Sequence, residues 1–305
     1  MNAHRLITGG WGLVGSEISD TYGQKPHRKT LDLTEYGSLV DYTHDHRVDE
    51  IVHLAAKVGG VAGNSDNMLS FFSDNLTMNA NIVRLCAERH IKRATFMLST
   101  CVFPHKVEYP VSEDALHQGE PHPTNYGYAY AKRMLEVGAR ALREENGTQV
   151  RCVIPCNIYG KNDNYDIVGG HVIPSLIHKC YKAARQGLPF QVWGSGECER
   201  EFVYAPDIAR AVTMIHDDTR EIPNLMIVSP SVSYKIKDIA LMIADCMEYE
   251  GRILFDIDRP EGILRKPTKN DLFRAAYPNF QFTDIYTGIK ETCNFVKENY
   301  DSIRK

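Results

Sequence analysis

The sequence predicts an α/β protein with a doubly wound parallel sheet and a smaller, mixed C-terminal lobe. Two observations predict the sheet. Short, almost wholly apolar runs alternate with longer segments of helical periodicity, and the first such run leads directly into closely spaced glycines. The chain of 305 residues is long enough for two coupled domains. We expect them at 1–160, together with part of 200–217, and at 161–305.

Composition limits the partners. Hydrophobic residues make up 43% of the chain and charged residues 24%, as in ordinary soluble domains. The formal net charge of -4 gives no electrostatic reason to expect nucleic acid or an anionic membrane as partner, and no apolar run approaches the about 18 residues of a membrane span. The eight cysteines are scattered, so we expect reduced thiols, no metal site and a cytoplasmic location. The strand-like stretch from Arg5 leaves no room for a signal peptide.

The first strand is predicted at Arg5–Thr8, and glycines follow at three-residue spacing. Glycine permits the tight turn and the close approach of the backbone to a pyrophosphate, which is how Rossmann-type domains bind a dinucleotide. A helical stretch from Ser16 to Tyr22 is expected to add its N-terminal N–H groups. The cofactor contacts predicted in this loop are Gly9, Gly12, Leu13, Val14 and Gly15.

The segment about 20 residues further on points to NADP. An NAD site would carry an acidic residue there for the ribose hydroxyls, whereas Lys25–Thr30 is basic. Arg28, with Lys29, could hold a 2′-phosphate, and Asp32 could contact the adenine. The alternative is a solvated basic loop.

A second buried strand is predicted at Glu50–Leu54. The small residues Ala55 and Ala56 follow it and would let a cofactor lie against the backbone. A long helix is then expected from Asn67 to His90, before the third strand.

The third predicted strand leads into the first of the candidate catalytic side chains. Ala94–Leu98 is typical of a buried strand, and strand residues two apart share a face, so Ser99 and Cys101 are expected to point into one pocket. Tyr128 and Lys132 are four apart at the start of a predicted helix and share a face as well. A hydroxyl, a thiol, a phenol and an ammonium are therefore expected together at the C-terminal edge of the sheet, where open α/β folds bind ligands.

The pair Tyr128 and Lys132 indicates proton transfer. A free phenol titrates near about 10, and a neighbouring ammonium favours phenolate and lowers that pKa. Together with Ser99, the pair could move a proton to or from an alcohol or carbonyl while a hydride moves elsewhere. The alternative is a surface helix with a chance tyrosine and lysine, because the chain has 16 tyrosines. The serine at a strand end and the N-terminal glycines favour the functional interpretation.

Several longer strings narrow the interpretation. The glycine loop, Ser99 and the Tyr128–Lys132 pair resemble the extended short-chain dehydrogenase/reductases. Within that group the chain resembles, over its whole length, the family of GDP-L-fucose synthases, bifunctional GDP-4-keto-6-deoxy-D-mannose epimerase/reductases. The strings that carry this resemblance are AAKVGG from Ala55, STCVFP from Ser99, NIYG from Asn157, HVIP from His171, VWGSG from Val192 and REF from Arg200.

The resemblance implies a mechanism with NADPH as cofactor and a GDP-sugar as substrate. Cys101 as base and His171 as acid would exchange the protons at C3 and C5 beside the C4 ketone. Hydride would then reach C4, Tyr128 would protonate the new hydroxyl and Ser99 would hold its oxygen. Lys132 would lower the Tyr128 pKa and hold the nicotinamide ribose, and a cation such as Lys132 would favour the Cys101 thiolate. Asn157 and His171 would also contact the cofactor.

The same resemblance implies a GDP-sugar site and a homodimer joined through two helices of each subunit. The residues implied around the sugar nucleotide are Asn157, Lys179, Trp193, Arg200 and Lys266. As bare residues they could equally be surface charges and a core aromatic.

There are departures from the pattern of the family. Trp11 stands where bacterial members often carry an arginine for the 2′-phosphate, Lys179 replaces a common arginine, and Cys156 a more usual threonine. The segment after the glycine loop is shorter than usual in this family, so the strand that directly follows the loop is expected to be clipped.

Three functions remain open at this point. The first is the NADP-dependent epimerase/reductase. The second is a C4 reductase without epimerisation, or an enzyme that acts on a related GDP-linked sugar. The third is a non-catalytic nucleotide-sensing protein or scaffold, against which the intact phenol–ammonium pair argues.

Overall fold

Five parallel strands form the central sheet of the protein, in the order β1-β2-β3-β4-β8. The structure, a computed structural model, describes residues 4–60, 67–259 and 262–305. Its strands are β1 Arg5–Thr8, β2 Glu50–His53, β3 Arg93–Met97, β4 Gln149–Pro155, β5 Asn157–Tyr159, β6 Phe190–Trp193, β7 Glu199–Tyr204, β8 Leu225–Val228, β9 Ser233–Lys235 and β10 Ile253–Asp256. Its α-helices are α1 Tyr36–Asp45, α2 Met68–Glu88, α3 Tyr126–Asn146, α4 Val172–Gln186, α5 Ala205–Asp217, α6 Ile236–Cys246, α7 Asp271–Ala276 and α8 Ile285–Asn299.

The central strands are apolar on both faces because helices cover both faces. Leu6 of β1 faces a core shared with α1, α2 and α3, while its neighbour Ile7 faces a second core shared with α5. Ile51 and Val52 of β2 divide between the same two cores. Period-two side-chain alternation thus explains the continuous apolar runs, and the predicted doubly wound α/β fold is confirmed.

The helix predicted at Ser16–Tyr22 is wrong. Only one 3₁₀ turn forms, at Gly15–Glu17, and the chain then returns to the sheet at Gln24, which exchanges backbone hydrogen bonds of 2.8 Å with Arg5 and Ile7. The glycine turn occupies residues 9–14, so only the nine residues 15–23 remain before Gln24, too few for a helix and the loops that would join it to the sheet. The strand expected directly after the glycine loop is thereby reduced to a single bridge between Gln24 and Leu6 of β1, as the short segment predicted.

The C-terminal lobe is built around a separate core. Helices α4, α6 and α8 pack there against strands β6 and β7. Two small sheets, β5-β7-β9 and β10-β6, belong to this part of the chain. Strand β8 and helix α5 come from the second half of the sequence but pack with the central sheet. The division near residue 160, with part of 200–217 assigned to the first domain, stays a prediction.

Among the described residues, no helix is both long and apolar enough to cross a membrane. The same part of the chain contains no cluster of three or more histidine, cysteine or acidic side chains suited to a metal ion. The eight cysteines form no disulfide.

Candidate active site

Ser99 and Cys101 meet at a turn rather than along a strand. Strand β3 ends at Met97, and Thr100–Val102 forms a 3₁₀ turn with Ser99 as its N-cap. The backbone N–H of Cys101 donates to the Ser99 hydroxyl at 3.4 Å. The sequence argument expected alternate strand residues to bring the two side chains together. That local prediction is wrong, although the turn places them side by side.

Helix α3 brings the phenol and the ammonium to the same place. Lys132 is only 1% exposed, and its Nζ donates to the Met97 carbonyl at 2.8 Å, which ties the helix to the end of β3. That Nζ lies 6.0 Å from the centre of the Tyr128 ring. Buried Asn79 of α2 supports the helix by donating to the Ala131 carbonyl at 3.0 Å. The predicted four-residue spacing on one helix face is observed.

Burial changes the pKa values of both Tyr128 and Lys132. Burial raises the pKa of Tyr128 well above its usual value, and nearby Cys101 raises it further. Burial also lowers the pKa of Lys132 to about 8. Loss of hydration therefore dominates the pKa of Tyr128, and the expectation that Lys132 lowers this pKa stays a prediction.

Burial also raises the pKa of the Cys101 thiol, so the expected thiolate is not the resting state. The Ser99 hydroxyl and the positive charges of Lys132 and Lys266 act in the opposite direction. Lys266 was expected only beside the GDP-sugar, and its position near Cys101 is a finding of the tertiary structure. Its own pKa is lowered by burial and by nearby Arg200.

His171 is paired with Asp163, an acid that the sequence did not single out. His171 is the N-cap of α4, and its Nδ1 lies 3.1 Å from the Oδ1 of Asp163. The Asp163 side chain is 4% exposed, and its Oδ2 is buried with no hydrogen-bond partner among the described residues. Burial lowers the pKa of His171, but the hydrogen bond and charge of Asp163 outweigh it and raise the pKa. The pairing favours an imidazolium with Nε2–H free of Asp163.

The glycine loop is shaped by contact with the end of β2. Gly9 has φ +69°, and a Cβ on it would meet the Ala55 backbone nitrogen at 2.7 Å. A Cβ on Gly15 would collide with the carbonyl of Gly9. A Cβ on Gly12 would meet only that carbonyl, at 3.3 Å, so its outer side is open. The residues present therefore fit a dinucleotide, because the loop offers bare backbone to a pyrophosphate.

The other predicted cofactor residues surround this loop or lie near it. Ala55 donates its N–H to the Thr8 hydroxyl at 3.4 Å, directly after β2, and Ala56 follows it. Arg28 is exposed. Asp32 accepts hydrogen bonds from the N–H and hydroxyl of Thr34, which lower its pKa. Asn157, on β5, donates to the Glu201 carbonyl at 2.8 Å.

The residues predicted around the sugar nucleotide fall into two groups. In the first, Lys179 Nζ lies 3.7 Å above the Trp193 ring, and the Arg259 guanidinium lies 5.0 Å from the same ring. Burial and nearby Arg259 lower the pKa of Lys179 to about 8. In the second, Arg200 donates to the Ile263 carbonyl at 2.7 Å and lies near Lys266. Arg259 was not predicted as a site residue.

A buried carboxylate, Glu201, anchors the segment that carries Lys266. Glu201 is 2% exposed and accepts from the N–H of Thr268 at 2.9 Å and from its hydroxyl at 2.6 Å. It also accepts from the Ser229 hydroxyl at 2.7 Å, at the end of β8. One side chain therefore joins β7, β8 and the segment that approaches Cys101. Glu201 stood within the quoted REF string, but nothing in the sequence distinguished it from a solvent-facing strand residue.

The model of the NAD dependent epimerase/dehydratase family matches residues 5–228 of this chain. The chain belongs to this family. The match begins with β1 and ends with β8, so it spans the whole central sheet and the active-site residues along it.

Individual relatives confirm the resemblance seen in the motifs. A GDP-L-fucose synthase from Dictyostelium discoideum is 37% identical over 98% of this chain and 97% of its own length. A GDP-L-colitose synthase from Yersinia pseudotuberculosis is 31% identical over 95% and 96%. The crystal structure of a GDP-L-fucose synthetase from Naegleria fowleri bound to NADP is 36% identical, covers 99% of this chain and 94% of its own, and has a TM-score of 0.91.

Proposed function

We propose that the protein converts GDP-4-keto-6-deoxy-D-mannose to GDP-L-fucose, by epimerisation at C3 and C5 and NADPH-dependent reduction at C4. The observation that carries the proposal is the meeting of Cys101 with Ser99, Lys132 and Lys266, in a chain whose His171 is held by an acid. A plain reductase needs the phenol and the ammonium but has no use for a thiol with two cations near it.

Epimerisation is assigned to Cys101 and His171. The C4 ketone acidifies the protons at C3 and C5, so a base can remove each one. The Cys101 thiolate, favoured by Lys132 and Lys266, takes the proton, and protonated His171 returns one to the opposite face. Burial raises the pKa of the Cys101 thiol, so Cys101 gives its proton to solvent before it acts as a base, and the charges of Lys132 and Lys266 favour that step.

Reduction is assigned to the hydroxyl groups and Lys132. When bound, NADPH supplies the hydride to C4. Tyr128 gives its proton to the C4 oxygen, and Ser99 donates a hydrogen bond to the same atom. A phenol with a raised pKa is protonated at neutral pH, as a proton donor must be. Lys132 holds the nicotinamide ribose and stabilises the phenolate left behind.

The residues that would hold the rest of the cofactor are the glycine loop, Ala55, Ala56, Asn157 and the exposed Arg28, which suits a 2′-phosphate. Asp32 would lie near the adenine. At the other end, Lys179 and Trp193 would hold the guanine or its phosphates, and Arg200 with Lys266 would hold the pyrophosphate and sugar. NADPH as reductant and eight cysteines without disulfides fit a cytoplasmic location.

We also propose a homodimer through α2 and α3. These two helices pack on each other, and apolar side chains remain exposed on both. On α2 they are Met68 and Leu69, and on α3 Tyr126, Met134 and Val137. A second copy of the same pair would bury both sets in a four-helix interface.

The test is NMR of the product made in D2O from GDP-4-keto-6-deoxymannose and NADPH. We expect deuterium at C3 and C5 and the L-galacto configuration. Cys101→Ala should reduce the sugar without solvent deuterium, whereas the matched change Cys180→Ala, in the C-terminal core, should leave both steps intact. A wild-type product free of deuterium would reject epimerisation.

A second candidate is the same chemistry on a related GDP-linked 4-keto sugar. The similarity to a GDP-L-colitose synthase favours it, and the change to lysine at position 179 alters one of the residues proposed to contact the nucleotide. NADPH binding without turnover of the first sugar, together with turnover of another, would support this candidate.

A further inference from the structure

Trp11 is a large aromatic side chain held in solvent at the glycine loop. It is 63% exposed, and it stands between Gly10 and Gly12, at the C-terminal end of β1. Its indole N–H donates to the Lys25 carbonyl at 2.9 Å. This hydrogen bond fixes one edge of the ring, so the exposed face is presented in a defined direction rather than swinging freely.

Lys25 is itself fixed against the loop. Its side chain is 6% exposed, and its Nζ donates to the Ile18 carbonyl and to Asp20 Oδ1, the latter at 2.8 Å. A Cβ on Gly10 would meet Lys25 Cγ at 2.6 Å, so the lysine stem lies directly on the loop backbone. The Lys25 side chain therefore packs against the glycine loop, and Trp11 is hydrogen-bonded to the same residue.

The segment that Trp11 is bonded to is the one expected to hold the adenosine. In dinucleotide-binding folds the ribose is recognised about 20 residues after the glycine loop begins. Here that region is 25–32, which contains exposed Arg28 and lies at the edge of β1 through Gln24. The indole therefore stands beside the position of the ribose and its base.

We propose that Trp11 is the adenine platform of the NADP site, with its indole face stacked on the base while Arg28 binds the 2′-phosphate. The inference rests on the proposed function for the identity of the cofactor. It adds a recognition residue that the glycine spacing does not imply. Aromatic stacking suits adenine because the base offers a flat π-face. The Trp11 indole is already oriented by its hydrogen bond to Lys25 before the base binds.

The protein contains two tryptophans, Trp11 and Trp193, and the proposal places one at each end of the site. In Trp193→Phe all tryptophan emission comes from Trp11. Titration with adenosine 2′,5′-bisphosphate, which carries no nicotinamide, should quench that emission. In Trp11→Phe the same titration should leave the emission of Trp193 unchanged.

Affinity measurements separate stacking of Trp11 on the adenine from a purely structural role of its hydrogen bond to Lys25. By calorimetry, Trp11→Ala should weaken binding of adenosine 2′,5′-bisphosphate by about tenfold. Trp11→Phe keeps a ring but loses the hydrogen bond to Lys25, and it should remain within about threefold of the wild type. Equal losses in the two variants, or Trp11 emission that does not respond at saturation, would overturn the proposal.

The probe also separates this inference from the function. If wild-type protein leaves the GDP-sugar unchanged while the bisphosphate quenches Trp11, the sugar assignment fails and the adenine platform stands. If the wild type turns over the sugar with NADPH but Trp11→Ala binds the bisphosphate normally, the function stands and the platform is rejected.

Discussion

At the scale of single residues, Asp163 decides the charge of His171. Its carboxylate is almost fully buried, lies 3.1 Å from the imidazole and has a second oxygen without a partner among the described residues. An acid so placed fixes the tautomer of the histidine and stabilises its protonated form. Asp163 acts through His171 and is therefore a positioning residue.

Asp163→Asn should lower the pKa of His171, because it removes the negative charge that raises it. A proton donor fails as pH rises through its pKa, so the loss of solvent-deuterium exchange at alkaline pH should begin at a lower pH in the variant. At neutral pH the exchange should fall about 10- to 100-fold. The control is NADPH-dependent reduction of a 4-keto sugar that is already epimerised, since that step does not need His171. An unchanged pH profile would show that Asp163 only supports the fold.

Lys266→Met should raise the pKa of Cys101, because Lys266 is one of two cations that favour its thiolate. Cys101 is half-buried, whereas the other seven cysteines are buried, so iodoacetamide should reach Cys101 first. We expect slower alkylation of the variant at every pH below the thiol pKa. Lys269→Met, an exposed lysine on the same segment, should alkylate like the wild type. Equal rates in all three proteins would remove Lys266 from the activation of Cys101.

At the scale of elements, the active site depends on how separate strands are joined. Glu201 on β7 ties the segment of Lys266 to the end of β8 through Thr268 and Ser229. The backbone of the same segment also bonds Val111, since the Val111 N–H donates to the Pro267 carbonyl at 3.0 Å. Lys266 thus approaches Cys101 from a segment clamped on both sides.

Thr268→Val should loosen that clamp. It removes the 2.6 Å hydrogen bond to buried Glu201 and leaves the carboxylate under-satisfied, so the free energy of unfolding should fall by about 1–3 kcal/mol. The KM for the GDP-sugar should rise, because Lys266 is held less firmly. Thr268→Ser keeps the hydroxyl and should behave like the wild type in urea unfolding and in kinetics. A KM unaffected by Thr268→Val would mean that the clamp stabilises the fold alone.

At the scale of the whole molecule, the exposed apolar residues of α2 and α3 favour an interface with a second copy of the chain. Met134 is 41% exposed and Val137 45% exposed, one helical turn apart on α3. Singly exposed apolar residues are common on monomers, but a set shared by two packed helices is typical of an interface.

Met134→Glu together with Val137→Glu should convert the proposed dimer to monomers, because charges would be buried at the centre of its interface. Sedimentation velocity measures the change. Leu241→Glu, at an exposed leucine on α6, is the matched control and should stay dimeric. A wild type that sediments as a monomer would reject the proposed interface.

Sequence patterns correctly predicted the strands that depend only on neighbouring residues in the chain. The apolar runs predicted at Arg5–Thr8, Glu50–Leu54 and Ala94–Leu98 became β1, β2 and β3. The helix after the glycine loop failed because the chain must return to the sheet at Gln24. Ser99 and Cys101 converge through a 3₁₀ turn, which strand periodicity cannot foresee.

The sequence by itself determined which chemical groups the site contains and the order in which the strands carry them, because residue type and spacing are properties of the chain. Only the tertiary structure decided the protonation of Tyr128 and Cys101, the pairing of His171 with Asp163, and the approach of Lys266 to the thiol. These depend on burial and on contacts between segments far apart in sequence, and desolvation and Coulomb energies follow distance in space rather than along the chain.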